Sequence, residues 1–529
     1  MIQETMKFKY TAVLTFLVVL LFTGCSDFLE PNSKSEFVPK DANSLNELLL
    51  GEAYLRDDKS GFNVFLNLMD DDIEATPYQR PIDGFDGNKY LASFSWQPDM
   101  FEMMDKVGSG HINIYESYYN LIKGVNAVLD YIPTVNDTEE RINIVKAQAY
   151  ALRGFYYLNL VNIFGQPYNY NKAALGVPLK LNSGIEPNLD YLMRKTVEEV
   201  YEQILSDFHT AESIYLDLPE SERWSDNYRT SLPMVQLLLS RTYLYMEKWG
   251  DAAKYAKMVM DDKRFALLDL NAFIPEEMDE KGNIIRNYPV FPTYKCSETI
   301  WPYGNITDMF KWTYDYAGNE NPETGDKMYA YFQASQELID IYLNYDKRLQ
   351  LYIVQAPKNG NSLMRMAYGK VNIGKTYYLP IKETRTFGRC LRLSEAYLNY
   401  AEAMAMIGAD SIAKATEALN AIGWNRFDPE DFEPYSFSSQ EELIEFVREE
   451  RRRELCFEGH RWFDLRRWGM PEIKHVWYDS ESTMSTYTLN KNDLLYTVPI
   501  PKEATDLNSK LEQNELPEKR IPTTQDVNK

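Results

Sequence analysis

The densest charge in the chain lies in residues 448–468, where Arg448, Glu450, Arg451, Arg452, Arg453, Glu454, Glu458, Arg461, Asp464, Arg466 and Arg467 crowd together. On one helix, Glu450, Glu454 and Glu458 recur every four residues, and Asp464 lies three from both Arg461 and Arg467. Such spacing supports interlocking ion pairs, each contributing about 0.2–0.5 kcal/mol if exposed. Read as chemistry, the arginines could hold a phosphate or an acidic ligand. Leu455, Phe457, Trp462, Leu465 and Trp468 are interleaved with them. That interleaving favours a buried structural lock, in which ion pairs fix geometry more than they stabilise.

Two other segments combine flat rings with carboxylates, amides and arginine. Residues 70–99 hold Asp72, Tyr78, Arg80, Asp86, Asn88, Tyr90, Trp96 and Gln97. Residues 291–316 hold Tyr294, Trp301, Tyr303, Asn305, Trp312, Tyr314 and Tyr316. Rings of this kind stack on the apolar face of a pyranose, while the polar groups bond its hydroxyls. The candidate ligand-binding residues are Asp72, Tyr78, Arg80, Asn88, Trp96, Trp301, Tyr303, Trp312 and Tyr314. The competing reading is that these rings pack against a scaffold.

Other chemistry is sparse. DGFDGN (83–88) fails the calcium-loop pattern, since Phe85 and Gly87 fall where oxygen ligands are required, and Asp-Gly turns explain it. His111, His209, His460 and His475 form no metal-ligand pair by spacing. Cys296, Cys390 and Cys456 are odd in number and far apart, so they read as buried, inert thiols. No nucleophile elbow or phosphate-binding loop occurs. The expectation is no catalytic residue, no metal and no cofactor, although carboxylate pairs at glycosidase separation could arise anywhere among so many acids.

The chain has 529 residues, with 56 Lys+Arg against 79 Asp+Glu and a net charge of −23. That balance argues against nucleic acid and anionic lipid surfaces, both of which require clustered cations. A hydrophobic content of 44% excludes disorder as the main state.

At the start, Lys7 and Lys9 precede an uncharged run from Tyr10 to Gly24. As a helix, that run reaches only ~22 Å, short of a ~30 Å hydrocarbon core, and it reads as a signal peptide over 1–24. Phe22-Thr23-Gly24-Cys25 resembles the lipobox of bacterial lipoproteins, which implies acylation of Cys25. Polar, Pro-punctuated residues 25–40 then read as a lipidated tether.

Helical periodicity dominates the body of the chain. Val145, Ala149, Leu152, Tyr156, Leu160 and Ile163 form one stripe over 144–164, and Ile144, Ala147, Ala151, Phe155 and Leu158 form another. Two stripes predict a helix packed on more than one side. Residues 234–262 and 391–422 read as helical hairpins, broken at Trp249-Gly250 and at Gly408. Ser240 or Ala401 fits the small position of a tetratricopeptide helix A, which places Ala252 or Ala413 at that of helix B. The reading is one domain over 41–529, with a helical scaffold mainly in 41–265 and 391–470. Aromatic, proline-rich irregular loops are expected mainly in 70–100 and 270–390.

ERRRELCFEGHRWFDLRRWG (450–469) resembles the C-terminal signature of the SusD/RagB lipoproteins. RLSEAYLNYAEAM (392–404), ALRGFYYLNLVNIFGQPY (151–168) and LLYTVPIPKEATDLNSKLEQN (494–514) resemble that family's helices and closing segment. One departure is Glu515-Leu516 after Gln513-Asn514, where the family usually has Pro-Gly. The resemblance implies a mainly α fold, a tetratricopeptide-like scaffold of helical hairpins decorated with long irregular loops and a few short β-hairpins. It also implies a binding protein rather than an enzyme, lipid-anchored on the outer membrane and facing the exterior. Its partner would be a SusC-type TonB-dependent transporter, and its ligand an oligosaccharide, or a peptide in the RagB branch. A lipid-anchored glycosidase and a purely protein-binding adaptor are the rival readings.

Overall fold

The computed structural model describes residues 37–55, 63–76, 88–107, 113–184, 189–225, 228–273, 276–278, 284–286, 289–304, 332–357, 363–366, 387–480 and 482–526. The predicted Cys25 acylation site and leader lie outside these residues.

Among the described residues, nine long helices carry the scaffold: α1 (Ala42–Glu52), α2 (Ile114–Tyr131), α3 (Glu139–Phe164), α4 (Val197–Asp217), α5 (Leu232–Tyr245), α6 (Trp249–Met260), α7 (Leu393–Ile407), α8 (Ile412–Gly423) and α9 (Gln440–Leu455). The short α10 (Arg461–Arg467) comes next. From α1 to α8 each helix packs on the next in chain order, and α9 lies against α7. This is the array of antiparallel hairpins that the periodicity predicts, because no single hairpin buries its own apolar face. α3 shows the consequence of its two stripes: nearly every side chain from Val145 to Phe164 is buried. α4 starts with a capping box, in which the Thr196 hydroxyl accepts from the Glu199 amide (3.2 Å) and Glu199 accepts from the Thr196 amide (2.7 Å).

Small residues set the helix spacing. A Cβ on Gly154 of α3 would sit 2.7 Å from the Phe208 ring of α4, so glycine allows the two helices to approach. Ser240 and Ala252 meet as expected, the Ser240 hydroxyl donating to the Ala252 carbonyl at 2.9 Å. In the second hairpin Ala401 is buried but Ala413 is exposed; Ala415 and Ala418 make the contact instead. The repeat register therefore slips there by two residues or more. The first hairpin turns at Glu247 (φ +58), and Trp249 already belongs to α6, so the turn precedes the predicted Trp249-Gly250 position. Gly408 (φ +141) ends α7 as expected.

Small antiparallel sheets decorate this array. β1 (Ile73–Ala75) pairs with β3 (Phe332–Ala334). β2 (Thr299–Tyr303) pairs with β4 (Arg389–Arg392), which leads directly into α7. β5 (Ile473–Tyr478), β6 (Thr483–Leu489) and β7 (Thr523–Asp526) form a three-stranded sheet with β6 in the centre. The closing segment reaches back to the early helices. The Val498 amide donates to the Ile163 carbonyl (3.0 Å), Asn514 Nδ2 to the Phe164 carbonyl (3.0 Å), and Arg520 Nε to the Trp96 carbonyl (3.0 Å).

Candidate ligand-binding site

The charged array of 448–468 is internal. Two left-handed residues, Phe457 (φ +64) and Gly459 (φ +83), split it into α9 and α10, so it is not the single helix its spacing suggests. α9 then sends ion pairs in three directions. Glu454 is the centre of the first set: Arg392 Nη1 (2.6 Å), Arg348 Nη1 (2.9 Å) and Arg426 Nε and Nη2 (both 2.9 Å) all donate to its carboxylate. Glu298 accepts from Arg426 Nη2 (2.7 Å) and Arg392 Nη1 (3.1 Å) on the other side. Burial alone would raise the Glu454 carboxyl, but Arg426, Arg392 and Arg348 together hold it well below the usual range. In the second set Arg451 pairs with Asp464 (2.8 Å) and Arg467 grips Glu402 with both Nη atoms (2.5 and 2.7 Å). In the third, Arg452 donates to Asp72 (2.8 Å) and Arg461 grips both oxygens of Asp71 (2.6 and 2.7 Å). With carboxylates answering these guanidiniums, this part of the array is a lock between distant segments, while Arg466 in the same stretch donates to the Gly165 carbonyl.

Several candidate ligand residues belong to this interior. Asp72 is 1% exposed and committed to Arg452. Trp96 is fully buried: its indole N–H donates to the Met69 carbonyl (2.9 Å) and its ring stacks on His475 (4.1 Å). Trp301 is also fully buried, donating to the Tyr228 carbonyl at 2.8 Å. These three are corrected from ligand-facing to packing positions, because both indoles have core rings and a backbone acceptor as partners. Tyr303 is half-buried, and Asn88 begins the helix Asn88–Phe94. Tyr78, Arg80, Trp312 and Tyr314 lie outside the described residues.

What the structure does assemble is a floor around β2 and β4. Trp301 and Tyr303 lie two residues apart on β2 and their rings stack (4.7 Å, 17°). Phe155 of α3 meets both edge-on, at 5.2 and 5.4 Å. The Trp301 bond to the Tyr228 carbonyl fixes Tyr228 beside this stack. The Tyr228 ring is 42% exposed; the Tyr54 ring meets it edge-on (6.2 Å), and the half-buried Phe387 ring lies 6.4 Å away. Directly across from Tyr303, Arg389 begins β4. Burial raises the Tyr303 phenol, and Arg389 and Arg241 oppose that shift.

In the β1–β3 pair Ala75 faces Phe332, and beside the floor the Gly388 amide donates to the Gly304 carbonyl (3.4 Å). An exposed Tyr228 and a half-exposed Phe387 on rigid supports can stack on a flat apolar face, and neither was singled out by sequence reasoning. Tyr228 stands in the polar stretch SDNYRTS and Phe387 in TRTFGRC, where the only signal is a lone ring among polar residues.

Elsewhere, burial pushes the Cys296 thiol up to about 11 and Cys390 well above its ordinary value, so neither offers a thiolate. Among the described residues no cluster of His, Cys, Asp and Glu could hold a metal ion. An open groove of about 850 Å³ runs along α8, bordered by Thr416, Glu417, Trp424 and Phe437. There Asn420 already commits its side-chain amide to the Tyr435 backbone, donating at 3.2 Å and accepting at 2.7 Å. Among the described residues no helix is long and apolar enough to cross a membrane.

Comparisons with known proteins agree with this architecture. A family model described as "SusD family" matches residues 382–517, and one described as "Starch-binding associating with outer membrane" matches residues 55–244. SusD-like protein P2 of Formosa agariphila is 25% identical over 379 residues, covering 66% of this chain and 70% of that protein. SusD-like protein P38 of the same organism is 24% identical over 426 residues, covering 72% and 78%. The crystal structure of a SusD-like carbohydrate binding protein from Bacteroides vulgatus superposes with a TM-score of 0.64 at 20% identity, covering 89% of this chain and 98% of that one. A SusD superfamily protein from Bacteroides thetaiotaomicron gives 0.62 at 20% identity, covering 90% and 100%. Matches at both ends of the chain, joined by one shared fold, identify this chain as a member of the SusD/RagB family.

Proposed function

We propose that this protein is a cell-surface lipoprotein that captures oligosaccharides and delivers them to a SusC-type TonB-dependent transporter. The observation that carries this reading is the exposed Tyr228 beside the half-buried Phe387, next to the Trp301–Tyr303–Phe155 stack. A pyranose face lying on such rings loses apolar surface to water without requiring the protein to reorganise. SusD-like proteins are binding proteins rather than enzymes. The description of one matching family model speaks of starch and the name of one solved neighbour of carbohydrate, and no observation favours the peptide branch. In this reading residues 1–24 are removed, Cys25 is acylated and 25–40 tether the body to the outer membrane. The helical scaffold then serves to position the loop face for ligand.

The test is retention of the full-length protein, purified in detergent, on an immobilised glycan panel. Binding to at least one glycan, weakened by Tyr228→Ala, is the expected result. Retention on peptides alone would transfer the protein to the peptide branch, and release of reducing sugar would make it an enzyme. Labelling with palmitate, lost in Cys25→Ala, checks the anchor. Co-purification of a large outer-membrane barrel checks the transporter.

A further inference from the structure

Buried guanidiniums in this protein typically face carboxylates. Arg241 grips Glu395 with two bonds of 2.6 Å, and Arg392 is held by Glu298, Glu454 and Glu458. Arg389 departs from that pattern, as does Arg466, which donates from Nη2 to the Gly165 carbonyl and leaves Nε buried without a partner. Arg389 is only 7% exposed, yet its Nε and Nη2 are buried without any hydrogen-bond partner, and among the described residues it forms no ion pair. Leaving charged donors unpaired in the interior is costly, and proteins seldom tolerate it without a compensating anion.

The surroundings hold the group in place rather than neutralising it. Arg389 sits directly opposite Tyr303, at the end of β4 nearest Phe387. Its Nη1 lies 2.9 Å from where a Cβ on Gly459 would be, so only glycine at that left-handed position (φ +83) leaves room for the guanidinium. Arg389 therefore stands beside the floor, across from Tyr303, with its guanidinium over Gly459.

Building on the carbohydrate reading, we propose that Arg389 anchors an anionic substituent, a carboxylate or a sulfate ester, on the captured glycan. The Nε and Nη2 edge offers two parallel donors to two oxygens of one anionic group, the pairing that arginine makes best. A pyranose stacked near Phe387 would bring its charged substituent to that edge. The ligand class is then acidic glycans, and neutral chains of the same backbone bind more weakly.

Calorimetry on the full-length protein in detergent tests this with two matched pairs of probes: oligogalacturonate against its methyl ester, and a sulfated galactan oligomer against its desulfated form. The charged member of at least one pair should bind about tenfold tighter or more. Which pair shows the preference distinguishes carboxylate from sulfate. Arg389→Gln should abolish the preference, and Arg389→Lys should restore only part of it. If Arg389→Gln does not fold, the unaltered protein still decides: affinity for the charged probe must fall with added salt while that for the neutral probe holds. Equal binding of charged and neutral members, binding of neutral glycans only, or a preference that survives Arg389→Gln overturns the proposal and leaves the carbohydrate reading standing. Retention of no glycan at all overturns both.

Discussion

Replacing Glu454 with Gln tests whether the buried ion network holds the scaffold together. The substitution preserves shape but exchanges one carboxylate oxygen for an amide NH2, which must then face guanidinium donors. Both Glu454 oxygens are in use: Oε1 accepts from Arg392 (2.6 Å) and Arg426 (2.9 Å), and Oε2 from Arg348 (2.9 Å) and Arg426 (2.9 Å). Whichever way the amide turns, at least two charge-assisted bonds are lost, the Tyr352 hydroxyl also donating to Oε1 (3.2 Å), and a formal charge disappears beside three arginines that are at most 1% exposed. Breaking a buried pair in this way costs about 3–5 kcal/mol. A domain this long unfolds with an entropy near ~1 kcal/mol per degree, so the melting temperature should fall by about 3–5 °C. Differential scanning calorimetry reads the change. Asp506→Asn, which removes the exposed Lys502–Asp506 pair (2.5 Å), serves as the control and should leave the melting temperature where it is. Added salt should erase any effect of the control but leave that of Glu454→Gln in place, since buried pairs are little screened. A Glu454→Gln protein that melts with the wild type would refute the claim that this network is a lock.

Gly154→Ala pushes a methyl group to within 2.7 Å of the Phe208 ring and should cost about 1–3 kcal/mol, read as a lower melting temperature. Glu402 is buried, which alone would raise its carboxyl, but Arg467 holds it below the usual 4.5. Its folded value is thus depressed, and its contribution to stability is complete above pH 4.5 and lost as pH falls through the folded value. Melting temperature should therefore stay level from neutral pH down to about 5 and drop below that, with a shallower drop in Glu402→Gln. Tyr228→Ala should weaken glycan binding about tenfold while leaving the melting temperature unchanged, because its ring is 42% exposed.

Periodicity made the scaffold legible. The two stripes over 144–164 became the fully embedded α3, and the Ser240–Ala252 contact follows from helical spacing alone. Ala413 misled because a small residue at repeat spacing carries no information about a slip of register, and Ala415 and Ala418 lie within the same turn or two. The internal character of 448–468 was readable from its interleaved Trp and Leu. Its partners were not, because Arg348, Arg392, Arg426 and Glu298 come from distant segments with no local pattern linking them. Trp96 and Trp301 show the limit of composition: a ring-rich stretch looks the same whether its rings face a ligand or a core, and the indole N–H finds a carbonyl in either case. Tyr228 and Arg389 matter through what surrounds them, and only three-dimensional neighbours reveal an exposed ring or an unanswered charge.

The bonds from Val498, Asn514 and Arg520 back to Ile163, Phe164 and Trp96 bear on how the molecule is made. A ribosome releases α3 hundreds of residues before the groups that satisfy its final carbonyls. The nascent polypeptide must therefore wait, with the Phe164 carbonyl answered only by Arg194, until its last stretch emerges. A message truncated near its 3′ end would encode no miniature version of the molecule, only an unfinished one open to proteolysis.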